Sequence, residues 1–246
     1  TSNAMSMEFS HNERPIRMVF GFPEGSGTHF VFRKLQNNIK APLNIIVENR
    51  PGVGGGISQQ YVSEKTPDGR TLLWTTSSIV SIAMYNKTFT FDPIRSFDTI
   101  FYVGQYDQVL LINSSLPENL NDLIDYTKRN PKKLMYGYNG EGSSTYRAPL
   151  QIFNGNVVGI PYKLTAQMIP DIIESRIHMT LVSAVYAKTF VDNKRVRLIA
   201  STGKKRIDWL NIPTVSEFIP NYEQTIWHGI LAPKGVPKDV KNFLYK

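Results

Sequence analysis

The sequence predicts an α/β fold with mostly parallel sheets, and three observations carry that expectation. Short runs rich in β-branched and aromatic residues recur along the chain, amphipathic helical stretches separate several of them, and glycine-rich turns follow strands directly. With 246 residues, 41% of them hydrophobic, the chain can bury a sizeable core as one large domain or two small ones.

Taken in order, the strand-like runs are residues 16–20, 43–47, 71–75, 100–103, 109–112, 134–138, 179–182, 196–200 and 226–231. A first helix follows the first strand, with Phe30, Val31, Leu35 and Ile39 as its apolar stripe and Thr28 as its N-cap. Residues 58–65 form a second, ended by the turn Thr66-Pro67-Asp68-Gly69. A third spans 120–128, capped by Asn119, with Leu123, Ile124 and Thr127 inward and Pro131 closing it. The polar stretch Asn113-Ser114-Ser115 marks a boundary, and residues 201–213 mark a return crossing. The expected division is a flexible start over 1–14, a discontinuous outer lobe of 15–113 plus 206–246, and a second lobe of 114–205. Thr1-Ser2-Asn3-Ala4 ahead of Met5 reads as the scar of an expression tag and is set aside.

Composition removes several function classes. No run approaches the roughly 18 consecutive apolar residues that cross a bilayer. The absence of cysteine excludes disulfides, thiolate metal sites and a cysteine nucleophile, and suits an oxidising compartment. The net charge of +8 comes from scattered Lys and Arg, in short clusters such as Lys132-Lys133 and Lys204-Lys205-Arg206. Nucleic-acid binders concentrate such charge and interleave aromatics, so no nucleic-acid partner is expected. The four histidines, His11, His29, His178 and His228, lack metal-ligand spacing, and no serine sits in a nucleophile elbow. No metal, cofactor or catalytic residue is expected.

Chemistry is then left to two loops. Phe22-Pro23-Glu24-Gly25-Ser26-Gly27-Thr28 joins the first strand to the first helix, where glycines admit a ligand to the backbone and helix-start N–H groups favour an anion. It is equally a tight turn with no ligand. Asn139-Gly140-Glu141-Gly142-Ser143-Ser144-Thr145 again follows a strand directly, and its run of hydroxyls without a cation suits a carboxylate better than a triphosphate. Neither loop carries a dinucleotide or P-loop fingerprint. A further glycine cluster, Gly52 to Gly56, reads as a turn. The expected ligand contacts are Gly25, Ser26, Gly27, Thr28, His29, Ser77, Ser78, Asn139, Gly142, Ser143, Ser144, Thr145 and Ser183.

With the loops placed, ordered blocks of sequence resemble the substrate-binding proteins of the tripartite tricarboxylate transporter family, the Bug receptors. The blocks are Pro15-Ile16-Arg17-Met18-Val19 with Phe22-Pro23, then Val47-Glu48-Asn49-Arg50-Pro51-Gly52, then Pro67-Asp68-Gly69 with Thr71-Leu72-Leu73. Phe91-Asp92-Pro93, Gly142-Ser143-Ser144, Pro161-Tyr162-Lys163, Ile212-Pro213-Thr214-Val215 and the block from Trp227 to Pro237 follow in order. The resemblance implies a type II periplasmic-binding-protein fold of two α/β lobes joined by a hinge. It implies a small carboxylate as ligand, membrane transporter subunits as partners, a monomer, and a periplasmic or otherwise extracytoplasmic location, a signal peptide being absent from this chain. His29 stands where the family often has an aspartate that meets a ligand amine, which points to a ligand without one. Leu164 replaces a usual glycine, Ile177-His178 a Val-Asp pair, Pro170 interrupts an expected helix, and the chain ends at Lys246 where the family continues. A ligand sensor or adaptor, and a receptor without a retained transport role, remain open alternatives.

Overall fold

The computed structural model describes residues 14–24, 27–37 and 44–245. The chain forms two compact units, one running to Gly104 and resuming at Trp227, the other spanning Gln105–Ile226.

In the first unit β1 (Ile16–Phe20) lies between β2 (Ile45–Asn49) and β3 (Thr71–Thr76), parallel to both, and β9 (Thr225–Pro233) joins β3 antiparallel. Strand alternation sorts the core onto two faces. Ile16, Met18, Phe20, Leu72 and Trp74 pack with Phe32 of α1 (Gly27–Gln36) and Val240 of α8 (Lys238–Tyr245). Val19 and Leu73 point the other way, onto Val62 of α2 (Gly56–Ser63) and Ile79 and Ile82 of α3 (Ser78–Tyr85). Helices thus cover both faces, which is why β1 is apolar apart from Arg17 and β3 is buried almost throughout.

The second unit repeats the plan. Parallel β5 (Leu134–Tyr138), β6 (Val157–Pro161) and β7 (Met179–Ser183) join β4 (Phe97–Asn113), which runs antiparallel to β7 and β8 (Val196–Ser201), giving the order β6-β5-β7-β4-β8. Leu110, Ile112, Tyr136 and Leu181 face α4 (Leu120–Arg129) and α5 (Ser144–Ile152). Val109, Leu111 and Val182 face α6 (Thr165–Ile173) and the single turn α7 (Ala184–Ala187). Asn119 caps α4 as expected, its Oδ1 accepting from the Asp122 N–H at 2.9 Å.

Several expectations change. The runs 100–103 and 109–112 belong to one strand, β4, whose polar middle is half-buried and so lacks an apolar alternation. The unit border falls at Gly104 and not at residue 113, because residues 108–113 pair with β7 and β8. The return lies at Trp227 and not at 206, because Leu210, Val215, Phe218 and Tyr222 pack into the second unit's cores. The second predicted helix starts earlier, at Gly56, whose missing side chain leaves room for Phe89, a Cβ there falling 2.4 Å from that ring. The run 16–20 coincides with β1, whereas the strand expected over 43–47 is β2, Ile45–Asn49; Leu43 lies outside the described residues, as does Ile39 of the first helix. Helix α6 runs through Pro170, which removes one ladder donor without ending the helix. Leu164 precedes α6 in an extended conformation, φ −133°, that asks for no glycine, and its N–H donates to Gln167 Oε1 at 3.1 Å.

Candidate functional site

In α/β sheets ligands bind beyond the carboxyl ends of parallel strands, where loops lead into helix N-termini. In the second unit β5 and β7 are neighbouring parallel strands, so both of their carboxyl ends open on one edge of the sheet. Each leads into a serine-capped helix: Ser143 accepts from the Tyr146 N–H and Ser183 from the Tyr186 N–H, both at 3.2 Å.

The loop after β5 is locked by its own side chains. Gly140 (φ 99°) and Gly142 (φ 85°) take left-handed conformations that turn the chain into α5. Thr145 Oγ1 donates to Asn139 Oδ1 at 2.5 Å, accepts from the Asn139 N–H at 3.2 Å, and lies 2.8 Å from Ser143 Oγ. Asn139, Ser143 and Thr145, singled out in the sequence, therefore form one network, with Gly142 and Ser144 in the same loop. Because the Ser143 and Thr145 side chains serve this network and Ser143 takes the Tyr146 and Arg147 N–H groups, the groups left to meet an anion are the Ser144 and Thr145 N–H groups and the Ser144 hydroxyl. Tyr138 packs edge-on to Tyr146 at 4.8 Å, and burial, with Glu141 and Tyr146 nearby, raises its phenol above the ordinary range, so it stays neutral.

The first unit's candidates divide. Gly25 and Ser26 lie outside the described residues. Gly27 already begins α1, so Thr28 is its second residue and not the N-cap. His29 is buried and stands edge-on to Phe20, ring centroids 5.3 Å apart. Ser77 is half-buried, its N–H bonded to the Trp227 carbonyl at 3.1 Å. Ser78 is buried and braces a turn: its hydroxyl donates to Gly54 O and accepts from Thr76 Oγ1, each at 3.0 Å. The Gly52–Gly56 cluster forms that turn and packs tightly, since a Cβ on Gly21 would fall 2.5 Å from the Gly55 Cα.

Two buried amides escaped the sequence reading, and His178 has a structural role that it did not assign. Gln59 is buried with its Nε2 3.4 Å from Thr75 Oγ1. Gln108 is buried within β4, where its only signal was a polar interruption of an apolar strand. His178 Nδ1 accepts from the Met135 N–H at 2.9 Å and so stitches β5 to the start of β7.

His228 in β9 lies opposite Thr76 and is 2% exposed, its ring 5.6 Å from that of Trp74. Burial lowers its pKa from 6.5 to about 4. Between those values the unfolded chain binds a proton that the folded chain refuses, so this stability is complete above pH 6.5 and declines as pH falls toward 4. Urea unfolding from pH 7 to pH 4 should show a loss on the order of 2 kcal/mol that His228→Gln removes. An unchanged pH slope in the variant would contradict this assignment.

No helix among the described residues is long and apolar enough to cross a membrane. The model of the tripartite tricarboxylate transporter family receptor matches residues 31–245. A Cupriavidus necator protein, the UPF0065 protein in gbd 5' region, is 29% identical over 237 residues, 93% of this chain and 72% of that protein. BugT of Bordetella pertussis is 25% identical over 233 residues, 90% of this chain and 71% of its own length. Among solved structures, the periplasmic binding protein BugD has a TM-score of 0.82 at 28% identity, covering 95% of this chain and 81% of that one. Rpa4515 of R. palustris, solved with adipate, gives 0.80 at 27% identity with the same coverage.

Proposed function

The chain belongs to the tripartite tricarboxylate transporter receptor family, a family of periplasmic solute-binding proteins rather than enzymes, and from that premise we propose that it captures a small organic acid for a membrane transporter. The observation that carries this reading is the β5–α5 loop, where two left-handed glycines, a serine cap and the Asn139–Thr145 lock hold a helix N-terminus open to an anion. The ligand is a di- or tricarboxylate held through one carboxylate at that N-terminus. The adipate bound by Rpa4515 supports a dicarboxylate.

The buried setting of His29 against Phe20 supports a ligand without an amine, because an imidazole supplies no fixed negative charge to pair with one. Capture proceeds by hinge closure, the ligand favouring the closed form by its greater affinity for it. Within this reading Ser183, at the carboxyl end of β7, is the remaining candidate of the second unit, and Gly27, Thr28 and Ser77 are those of the first.

Thermal unfolding with adipate, succinate, glutarate, malate, citrate and aspartate tests the proposal. A carboxylate at a hundred times its Kd adds about 2.7 kcal/mol to apparent stability, a rise of a few degrees. Silence across the whole panel, or a response to aspartate alone, would sink it.

A further inference from the structure

The carboxyl end of β7 holds one polar side chain that the carboxylate cradle leaves unused. Gln108 sits in β4 directly opposite Ser183 of β7, and opposed residues of an antiparallel pair carry their side chains on the same face. Alternation along β4 identifies that face, because Leu110 and Ile112 pack with Ala148 and Ile152 of α5. The Gln108 carboxamide therefore stands on the α5 side of the sheet, at the edge from which α5 begins. Its main chain is clamped, the N–H donating to Thr202 Oγ1 at 3.0 Å and the carbonyl accepting from the Thr202 N–H at 2.9 Å. The residue is 6% exposed, and its Oε1 meets no hydrogen-bond donor among the described residues. A buried amide oxygen without a donor is costly and calls for an explanation.

We infer that Gln108 is a specificity residue of this site, an acceptor set for a hydroxyl on the ligand, so that a hydroxylated carboxylic acid binds in preference to its plain counterpart. The inference rests on the carboxylate reading above. The α5 N-terminus offers donors, which suit a carboxylate, whereas Gln108 Oε1 offers an acceptor, which only a donor on the ligand can satisfy. A hydroxyl fits better than an ammonium. Glu141 of the loop is exposed, and Asp107 alternates to the opposite face of β4, so among the described residues neither places a buried carboxylate on this face to pair a cation.

Isothermal titration of the full chain with two matched pairs, succinate against malate and glutarate against 2-hydroxyglutarate, with adipate as a further plain acid, tests the assignment. The hydroxylated member of a pair should bind at least about tenfold tighter. Gln108→Leu should erase that preference by weakening the hydroxylated acid alone. The ligand-free variant should unfold at or above the wild-type temperature, since no acceptor is left unpaired. Gln108→Asn, which keeps the amide but withdraws it, should lose the preference in the same way and covers a failure of the leucine variant to fold.

Plain acids binding as tightly as hydroxylated ones would overturn the role of Gln108 and leave the carboxylate reading standing. So would equal weakening of both members by Gln108→Leu, or an aspartate preference over malate that this variant removes. Failure of every carboxylate to bind would sink both.

Discussion

Asp98→Ala is expected to lower the unfolding free energy by about 2–4 kcal/mol, most of it the cost of leaving two backbone donors without their acceptor, since the lysines beside it reach solvent. Asp98 is 8% exposed at the head of β4. Its Oδ2 accepts from the N–H groups of Gly235 at 2.9 Å and Val236 at 3.0 Å, and its Oδ1 from Lys234 Nζ at 3.1 Å, with Lys241 Nζ 3.6 Å from Oδ2. Burial alone would raise its pKa, but the bonds from Gly235, Lys234 and Val236 and the Lys241 charge outweigh it and hold the carboxyl below its ordinary value. The carboxylate thus fixes the turn, with Gly235 at φ 102°, through which β9 passes into α8. Alanine strands two backbone donors and leaves two lysines facing no charge.

Asp98→Asn, which keeps one acceptor, should lose less. A depressed folded pKa stabilises above the unfolded value of about 3.9 and ceases to do so as pH falls through the folded one. Urea unfolding should therefore show a constant gap between wild type and Asp98→Asn from pH 8 to pH 5, shrinking below about pH 4. A gap that widens in acid would contradict the assignment.

Most of the fold was legible because covered parallel strands concentrate apolar residues. The run 134–138 coincides with β5, and Asn119 caps α4. What escaped did so for physical reasons. β6 is an edge strand, half exposed, with Gly159 set against the Tyr136 and Tyr138 rings and Pro161 at its end, so neither composition nor alternation marks it. α3 reads Ser-Ile-Val-Ser-Ile-Ala-Met-Tyr, apolar around its whole circumference and therefore without a helical stripe.

The site divides in the same way. Ser143, Thr145 and Asn139 announced themselves as a hydroxyl- and amide-rich loop after a strand, although their side chains turn out to hold the loop rather than to face outward. Gln108 carried no such signal, because a buried amide in a strand reads as a break in the apolar pattern until register sets it beside Ser183.

Ser144→Pro should reduce carboxylate affinity about 10- to 100-fold while leaving stability within about 0.5 kcal/mol of wild type. Ser144 is the first residue of α5 behind the Ser143 cap. Its N–H has no acceptor within the helix, and proline is favoured at that position because the lost donor was an orphan and its φ suits the helix. Ser143 has φ −68° and ψ 162°, the extended conformation that a following proline requires. The substitution therefore deletes the amide proton and the hydroxyl of residue 144 while leaving the start of the helix intact. If the ligand's carboxylate lies on the α5 N-terminus, that proton makes a charge-assisted hydrogen bond, the stronger class.

Ser144→Ala keeps the N–H and loses only the hydroxyl, so it should bind within about fivefold of wild type, a single neutral hydrogen bond being at stake. Titrating both variants with the tightest acid of the panel separates backbone from side-chain recognition. Wild-type affinity in Ser144→Pro would place the carboxylate away from this helix, whereas an equally large loss in Ser144→Ala and Ser144→Pro would assign the recognition to the hydroxyl.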